Sequence, residues 1–191
     1  MSGARSSARG TAVDIAAAAA TVVPLRKRGG LLEVGLVLKS PKLASLGGTW
    51  VFPGGRIDPT DLGSSHEERA RVAAVREANE ETGLTLDPAA LFHHAHWTTP
   101  LGRERRFATD YFLTWIDAEL IPDGSEIVEA QWVTPERALA ARDAGLLRLT
   151  PPTFVTLWRL QHEGEALFDM SSFRILPRPQ VVDGGFISLY E

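Results

Sequence analysis

Three carboxylates lie within five positions of the segment 76–84, which reads REANEETGL. At about 100° per helical residue, Glu77, Glu80 and Glu81 fall within an arc of roughly 100° on one side of a helix. Like charges at this spacing repel each other, so the arrangement calls for a positive partner. Because all the donors are oxygens and neither histidine nor cysteine stands among them, the expected partner is Mg²⁺ or Mn²⁺. The alternative interpretation is a solvated acidic helix face.

Two features favour a site over a solvated face: Gly83 after the acids, and the glycine pair 54–55 upstream of the helix. Ser65 and Glu68 have the spacing of a capping box, which predicts that a helix begins at Ser65. Gly83 directly follows the acids, as a helix C-cap does. Upstream, the apolar run 50–52 leads as a strand into the glycine pair 54–55, whose backbone carbonyls would point toward the acids. The buried side of the helix is expected to carry Val72, Val75 and Ala78. Three further alanines, Ala70, Ala73 and Ala74, are expected nearest the acids.

The stretch 54–84 resembles the signature of the Nudix hydrolases: a glycine, five residues, a glutamate, seven residues and then R-E-U-x-E-E-x-G-U, with U apolar. The second half matches at every specified position, and seven residues separate Glu68 from Arg76, as in the signature. Twelve residues instead of five separate Gly55 from Glu68, so the loop between them is longer by seven. The resemblance implies metal ligands at the carbonyl of Gly55 and at Glu77, Glu80 and Glu81.

The longer loop leaves two interpretations of Glu68. In a helix that begins at Ser65, Glu68 would point about 180° away from Glu77 and would act only as a capping residue. It would join the metal ligands only if the regular helix began after it.

The resemblance also implies catalytic roles. Glu80 and Arg76 belong to the catalytic set, where Arg76 orients the acids by two-point pairing or serves only as the i,i+4 partner of Glu80. The general base is a signature glutamate or a glutamate on a separate loop. Glu126 and Glu129 are the loop candidates, and surface positions are the alternative for both.

Substrate recognition is expected from a second group of motifs. WTTP at 97–100, RRF at 105–107 and TDYF at 109–112 combine aromatic rings with guanidinium groups, which suit a base or acyl chain and a phosphate. The pattern resembles a Nudix subgroup that includes acyl-coenzyme A diphosphatases. It departs from that subgroup at Ala108 and in the short basic stretch 39–42. The predicted substrate-binding residues are Arg56, Trp97, Arg105 and Arg106, and the alternative for the last two is a solvated hairpin end.

Three histidines, His93, His94 and His96, cluster in one predicted strand. In a regular strand His94 and His96 share a face and His93 faces away. We expect partly exposed strand residues here and no zinc site.

The composition bounds the class of protein. The chain has 191 residues, of which 44% are hydrophobic, with a net charge of −4 and no cysteine. This charge indicates neither a nucleic-acid nor a membrane partner, and no apolar run approaches the ~20 residues that span a bilayer. The lack of cysteine excludes disulfides and thiolate chemistry and fits a cytoplasmic location. A small-molecule nucleotide diphosphate is the expected partner, and a homodimer is left open.

The residue patterns predict one mixed α/β unit. Residues 1–11 are expected to be disordered, and 12–191 to form a single domain with a C-terminal helical extension. The apolar stretch 15–23 is predicted to belong to a first strand rather than to a signal peptide. Further strands are predicted over 31–39, 50–52, 92–99, 105–116 and 127–133, with helices from Thr134 to Ala144 and from Thr153 onward. The resemblance implies an α/β fold, the Nudix α/β/α sandwich with a mixed β-sheet.

The leading functional hypothesis is a Mg²⁺-dependent hydrolase that cleaves the diphosphate of a nucleoside diphosphate linked to another moiety, X. Coenzyme A or acyl-coenzyme A is the first candidate substrate. The alternatives are ADP-ribose, NADH, a dinucleoside polyphosphate, or a non-catalytic nucleotide sensor on the same fold. The isopentenyl diphosphate isomerase branch of the fold uses a cysteine, which this chain lacks.

Overall fold

The computed structural model describes residues 16–103, 105–170, 173–175, 178–182 and 185–189. The predicted disordered start, 1–11, lies outside the described residues. The elements follow in the order β1 (Ala17–Arg28), β2 (Leu31–Lys39), β3 (Trp50–Val51), β4 (Gly54–Arg56), α1 (His66–Thr82), a 3₁₀ helix (Pro88–Ala90), β5 (Phe92–Thr98), β6 (Phe107–Trp115), β7 (Ile127–Val133), α2 (Pro135–Asp143), α3 (Pro151–Glu163), a 3₁₀ helix (Gly164–Phe168), β8 (Phe173–Ile175), β9 (Arg178–Val182) and β10 (Gly185–Leu189).

The main sheet is mixed, as the sequence predicts. Its strand order is β3-β2-β1-β6-β5-β8, with β4 paired to β1 and β7 paired to β2. β1 runs parallel to β6 and β5 parallel to β8, whereas the remaining pairs of this sheet are antiparallel. β1 therefore lies in the middle of the sheet and carries β4, the glycine strand, alongside it.

Helices cover both faces of this sheet, which confirms the predicted α/β/α sandwich. On one face, α1 packs against Ala20, Val22 and Phe112. On the other face, α2 and α3 pack against the alternate residues of the same strands, and Val23 and Leu36 are among the buried residues there. The strict in-and-out alternation along β1 is what allows one strand to serve two cores.

The buried side of α1 differs from the prediction. Val72 and Val75 are only partly buried, whereas the helix faces the sheet with its alanines. The large side chains Val22 and Phe112 fill this layer from the sheet, so small side chains are what fit on the helix side. The fully buried residues of this helix face are Ala70, Ala73, Ala74 and Ala78.

The local signals for turns and helix ends are mostly confirmed. Gly29 and Gly30 make the β1–β2 turn with φ values of 59° and 80°, which glycine adopts without strain. Thr134 caps α2, as predicted. α3 begins earlier than predicted, with Thr150 as its N-cap instead of Thr153. The two prolines that follow Thr150 fit the first helical positions because the N–H groups there have no partner within the helix.

The structure describes part of the predicted C-terminal extension. α3 and the 3₁₀ helix after it contribute Leu157, Leu160 and Leu167 to the same core as α2, and β9 and β10 form a separate two-stranded sheet. The single domain over 12–191 stays a prediction. No helix in the described ranges has the length and apolar character needed to cross a bilayer, and the cytoplasmic location also stays a prediction.

Candidate metal and diphosphate site

The caps of α1 fix the phase of its acidic residues, and both are confirmed. The Ser65 hydroxyl accepts a hydrogen bond from the Glu68 amide at 3.1 Å. Gly83 ends the helix in the left-handed conformation at φ 70°, and its N–H donates to the Asn79 carbonyl at 2.8 Å. Since both ends are held, the last two turns of α1 face the glycine strand β4 in a fixed orientation.

The three acids of α1 differ in exposure. The side chain of Glu81 is 5% exposed, that of Glu77 18% and that of Glu80 57%. The Gly54 amide donates to Glu81 Oε2 at 2.9 Å. A Cβ on Gly55 would lie 2.5 Å from the carboxylate carbon of Glu77. Two carboxylates therefore meet the glycine pair, and only a glycine at position 55 leaves room for the one from Glu77.

A lysine that the sequence analysis did not assign to the site lies between two acids. The Lys39 ammonium is 2.8 Å from Glu81 Oε1 and 2.7 Å from Glu126 Oε1. Lys39 ends β2, which pairs with β7 through a register shift between Leu38 and Lys39. Its signal in the sequence is a cationic residue at the end of a strand that is otherwise buried. Glu126 is thereby brought to the acids of α1, and it is the better supported of the two base candidates.

Glu129 does not reach this group. It lies on β7 opposite Leu38 and is exposed. Glu126 lines the cavity beside the glycine pair, whereas Glu129 is not among the residues that line it. Glu126 precedes β7 and its carboxylate lies 2.7 Å from the Lys39 ammonium, whereas Glu129 comes after the register shift in β7.

Arg76 pairs differently from the prediction. Its two-point ion pair is with Asp61 of the long loop, from Nε to Oδ1 at 2.9 Å and from Nη2 to Oδ2 at 3.0 Å. Its remaining nitrogen, Nη1, bridges Glu77 Oε1 at 2.9 Å and Glu80 Oε2 at 3.1 Å. Arg76 therefore orients two acids while Asp61 orients Arg76. Asp61 was not predicted because Arg76, its partner, lies 15 positions further along the chain, beyond the loop.

Burial and paired charges set the ionisation of the group. Burial raises the pKa of Glu77 above its ordinary value, and Arg76 opposes this shift. Burial likewise raises the pKa of Glu81, and Lys39 and the Gly54 amide oppose it. Burial alone would lower the pKa of Lys39, but Glu81 and Glu126 together raise it above its ordinary value. Lys39 is therefore a cation at neutral pH.

Glu68 lies apart from the other signature acids. The regular helix begins at His66, before Glu68, and the Glu68 carboxylate accepts hydrogen bonds from the Ser64 amide and hydroxyl at 2.6 Å. Nine helical residues turn the chain by about 900° and advance it by about 13.5 Å, so Glu68 points away from Glu77 and lies about two and a half turns nearer the start of the helix. The capping interpretation holds, and the structure does not bring Glu68 to the metal-ligand candidates.

A cavity of about 740 Å³ connects the acids to the predicted substrate residues. Glu77, Gly55, Lys39 and Glu126 contribute to its wall. The aromatic rings and arginines along the same wall are Phe52, Trp97, Phe107, Tyr111, Arg56, Arg103 and Arg105. Of the predicted substrate-binding residues, Arg56, Trp97 and Arg105 thus line the cavity, and Arg103 was missed because it lies outside the RRF motif.

Arg106 is not part of this wall. Its Nε donates to the Thr99 carbonyl at 3.0 Å and to the Pro100 carbonyl at 3.1 Å. These bonds tie the strand before the β5–β6 connection to the strand after it. The prediction that Arg106 binds substrate is therefore not supported, because the β-hairpin itself uses its guanidinium group.

The histidine prediction is wrong about the faces of β5. A register shift between His93 and Ala95 turns His93 and His96 to the same side. Both imidazoles contact the buried carboxylate of Asp110, at 3.0 and 2.8 Å, and His66 of α1 contacts it at 2.7 Å. His94 is buried rather than partly exposed. A β-bulge gives no periodic signal in the sequence, so the alternation rule fails at this point.

The donor set fits a hard divalent cation. Carboxylate oxygens from Glu77, Glu80 and Glu81 and the carbonyl of Gly55 are the oxygen donors that Mg²⁺ and Mn²⁺ prefer. In the described part of the chain, no group of three or more histidine, aspartate and glutamate side chains is gathered as for a metal ion. Lys39 and Arg76 hold the acids instead, in the manner of counter-ions.

The sequence is similar to those of two curated proteins. A protein of Caenorhabditis elegans that carries the name nudix hydrolase 7 is 30% identical over 149 residues, which cover 59% of this chain and 50% of the relative. The peroxisomal coenzyme A diphosphatase of Mus musculus is 41% identical over 63 residues, 33% of this chain and 24% of the relative. The chain thus spans half the length of the first relative and a quarter of the second.

The fold agrees as well. The crystal structure of a NUDIX hydrolase from Alicyclobacillus acidocaldarius matches with a TM-score of 0.74 and 22% identity, over 84% of this chain and 99% of that one. The family model described as the NUDIX domain matches residues 16–151, which include the glycine pair, all of α1 and the strands that carry the cavity wall. The chain therefore belongs to the Nudix family.

Proposed function

We propose that the chain is a Mg²⁺- or Mn²⁺-dependent hydrolase of a nucleoside diphosphate linked to X, with coenzyme A or acyl-coenzyme A as the substrate. One observation carries the proposal: a single cavity is lined by Glu77 beside the glycine pair, by Glu126 and by a set of aromatic rings and arginines. The acids suit a diphosphate with its cation, and the rings suit a base or acyl group. The partial match to a coenzyme A diphosphatase supports this choice of substrate.

In this proposal the metal ligands are Gly55, Glu77, Glu80 and Glu81. When bound, the cation neutralises charge on the diphosphate as the bridging phosphorus–oxygen bond breaks. Glu126 accepts a proton from the attacking water, whose oxygen bonds to phosphorus while the bridging oxygen leaves with the other phosphate. Arg76 and Asp61 keep Glu77 and Glu80 in place.

Arg103 and Arg105 are proposed to bind phosphate groups of the substrate. Both are exposed and belong to the cavity wall. Guanidinium groups pair with phosphate oxygens at two points, so they would orient the substrate rather than take part in bond cleavage. Trp97 and Tyr111 supply the apolar surface on the same wall.

The test is a substrate panel with the purified chain. Coenzyme A, an acyl-coenzyme A, ADP-ribose, NADH and a dinucleoside polyphosphate are each incubated with MgCl₂, MnCl₂ or EDTA, and the products are identified by mass. We expect two phosphomonoesters from coenzyme A with either metal and none with EDTA. Preferred turnover of another conjugate would replace coenzyme A by that compound. Nucleotide binding without any turnover would favour the sensor hypothesis.

A further inference from the structure

We propose that Lys39 is the resident cation of the acidic site. It holds Glu81 and Glu126 while the protein is free of metal, and it gives up Glu81 but keeps Glu126 when a divalent cation binds. This proposal rests on the metal requirement in the proposed function. It assigns a positioning role to Lys39, which lies outside the signature helix.

Lys39 contacts both glutamates at the same time. One buried ammonium group lies 2.8 Å from Glu81 and 2.7 Å from Glu126, residues that are 42 and 87 positions away in the chain. The register shift between β2 and β7 occurs at Lys39 and places Ile127, the neighbour of Glu126, opposite it. A lysine ammonium has three donors on a flexible stem, so it can bind two carboxylates at once and also release one of them.

Glu81 is buried, so its carboxylate depends on its partners. Glu81 is almost inaccessible to solvent, and a buried carboxylate is stable only when it is paired. The Gly54 amide satisfies one of its oxygens, and Lys39 satisfies the other. The oxygen that Lys39 holds has no backbone donor, so it is the one that a cation could take over from the ammonium group. An ammonium group and a divalent cation repel each other, so the two exchange at this oxygen rather than share it.

Lys39 also fixes the position of Glu126, the proposed base. Its side chain is 53% exposed, so without Lys39 it would sample several rotamers at the edge of the cavity. A lysine that is released from Glu81 but stays on Glu126 keeps the proposed base in the cavity. Lys39 thereby links occupation of the metal site to the position of the base.

The test uses Lys39→Met and Lys39→Arg, with Lys27→Met as a matched control. Lys27 is also paired with a glutamate, but this pair is about half exposed. The melting temperature is measured in EDTA and in MnCl₂, and the Mn²⁺ dissociation constant is measured by calorimetry. Neither readout depends on turnover.

We expect Lys39→Met to lower the melting temperature by about 10 °C in EDTA, because a buried carboxylate loses its partner. Mn²⁺ should restore more than half of this loss and should bind about tenfold more tightly, because it no longer displaces an ammonium group. Lys39→Arg and Lys27→Met should behave much like the wild type. Folding of Lys39→Met only in the presence of Mn²⁺ would also support the proposal.

Two outcomes would overturn the role of Lys39 while leaving the proposed function intact: an equal loss of melting temperature with and without Mn²⁺, or an unchanged or weaker Mn²⁺ affinity. If the Met variant is not recovered in either condition, Lys39→Gln, which keeps a donor without the charge, is measured in the same way. Absence of Mn²⁺ and Mg²⁺ binding by the wild type would instead overturn the metal requirement itself.

Discussion

The carboxylate of Asp61 and the guanidinium of Arg76 form a two-point ion pair, at 2.9 and 3.0 Å, that fastens the long loop to the acidic helix. Asp61 is 2% exposed, and the hydrogen bonds from Arg76 hold its pKa below the ordinary value. The pair thus supports the two acids that Arg76 bridges, from a position outside the cavity wall.

Loss of this pair should destabilise the protein. Asp61→Asn removes the buried charge that pairs with Arg76 at two points, and we expect the free energy of unfolding to fall by about 3 kcal/mol. Urea denaturation of wild type and variant measures this difference. Asp143→Asn is the control, since its pair with Arg142 is exposed and should contribute little. Equal effects of the two substitutions would contradict the role of Asp61.

Glu80 should matter for turnover and little for stability. Its side chain is the most exposed of the three acids and contacts only the Nη1 of Arg76 among the described residues. We expect Glu80→Gln to lower kcat by about 100-fold or more, because a ligand charge is lost, with an unchanged melting temperature. Glu67→Gln, on the first turn of the same helix, is the control. A near-normal rate for Glu80→Gln would remove Glu80 from the metal site.

The two arginines of the RRF motif should differ in their effects. Arg105 lines the cavity, and Arg105→Ala should raise the KM about tenfold with a similar kcat, because a phosphate contact is lost. Arg106→Ala should instead lower the melting temperature, since Arg106 closes the β5–β6 hairpin. Steady-state kinetics and thermal melts of both variants distinguish the two roles. An unchanged KM for Arg105→Ala would make Arg105 a surface residue.

His94 should make the fold sensitive to acid. Burial, with smaller contributions from Arg159 and His93, lowers its pKa to about 3, against about 6.5 in the unfolded chain. The unfolded state therefore binds a proton below pH 6.5 that the folded state does not. Between pH 7 and pH 5 this difference should remove about 2 kcal/mol of stability.

His94→Gln tests this prediction, because glutamine does not titrate. Its unfolding free energy should fall about 2 kcal/mol less than that of the wild type between pH 7 and pH 5, whatever its stability at pH 7. The exposed His162 provides the control substitution, His162→Gln. Parallel pH profiles for wild type and His94→Gln would show that His94 does not carry the effect.

Local signals in the sequence predicted the parts of the site that lie on one element. The caps at Ser65 and Gly83 and the spacing of Glu77, Glu80 and Glu81 are properties of a single helix, and the structure has them as predicted. The apolar pattern predicts β3 and the start of β4, so the position of the glycine pair next to the acids was also predictable.

Contacts between distant segments were not predictable in this way. Lys39 meets Glu81 and Glu126 only because β2, β7 and α1 pack as they do. The side of α1 that is buried depended on the size of the side chains opposite it, so the valines were preferred wrongly to the alanines. The bulge in β5 reversed the faces of two histidines, although each lies in a predicted strand.

The alanine face of α1 explains how the loop before the helix can be long without displacing the acids. Small side chains set how near the helix lies to the sheet, and this packing brings the acids to the glycine pair. The loop supports the acids through one residue, Asp61, and not through its length. Nine residues connect β4 to α1, and those other than Asp61 and the cap residue Ser65 are open to other uses, such as a rim for a larger substrate. Replacing one buried alanine of α1 by a larger residue would therefore displace the acids more than doubling the length of the loop between β4 and α1.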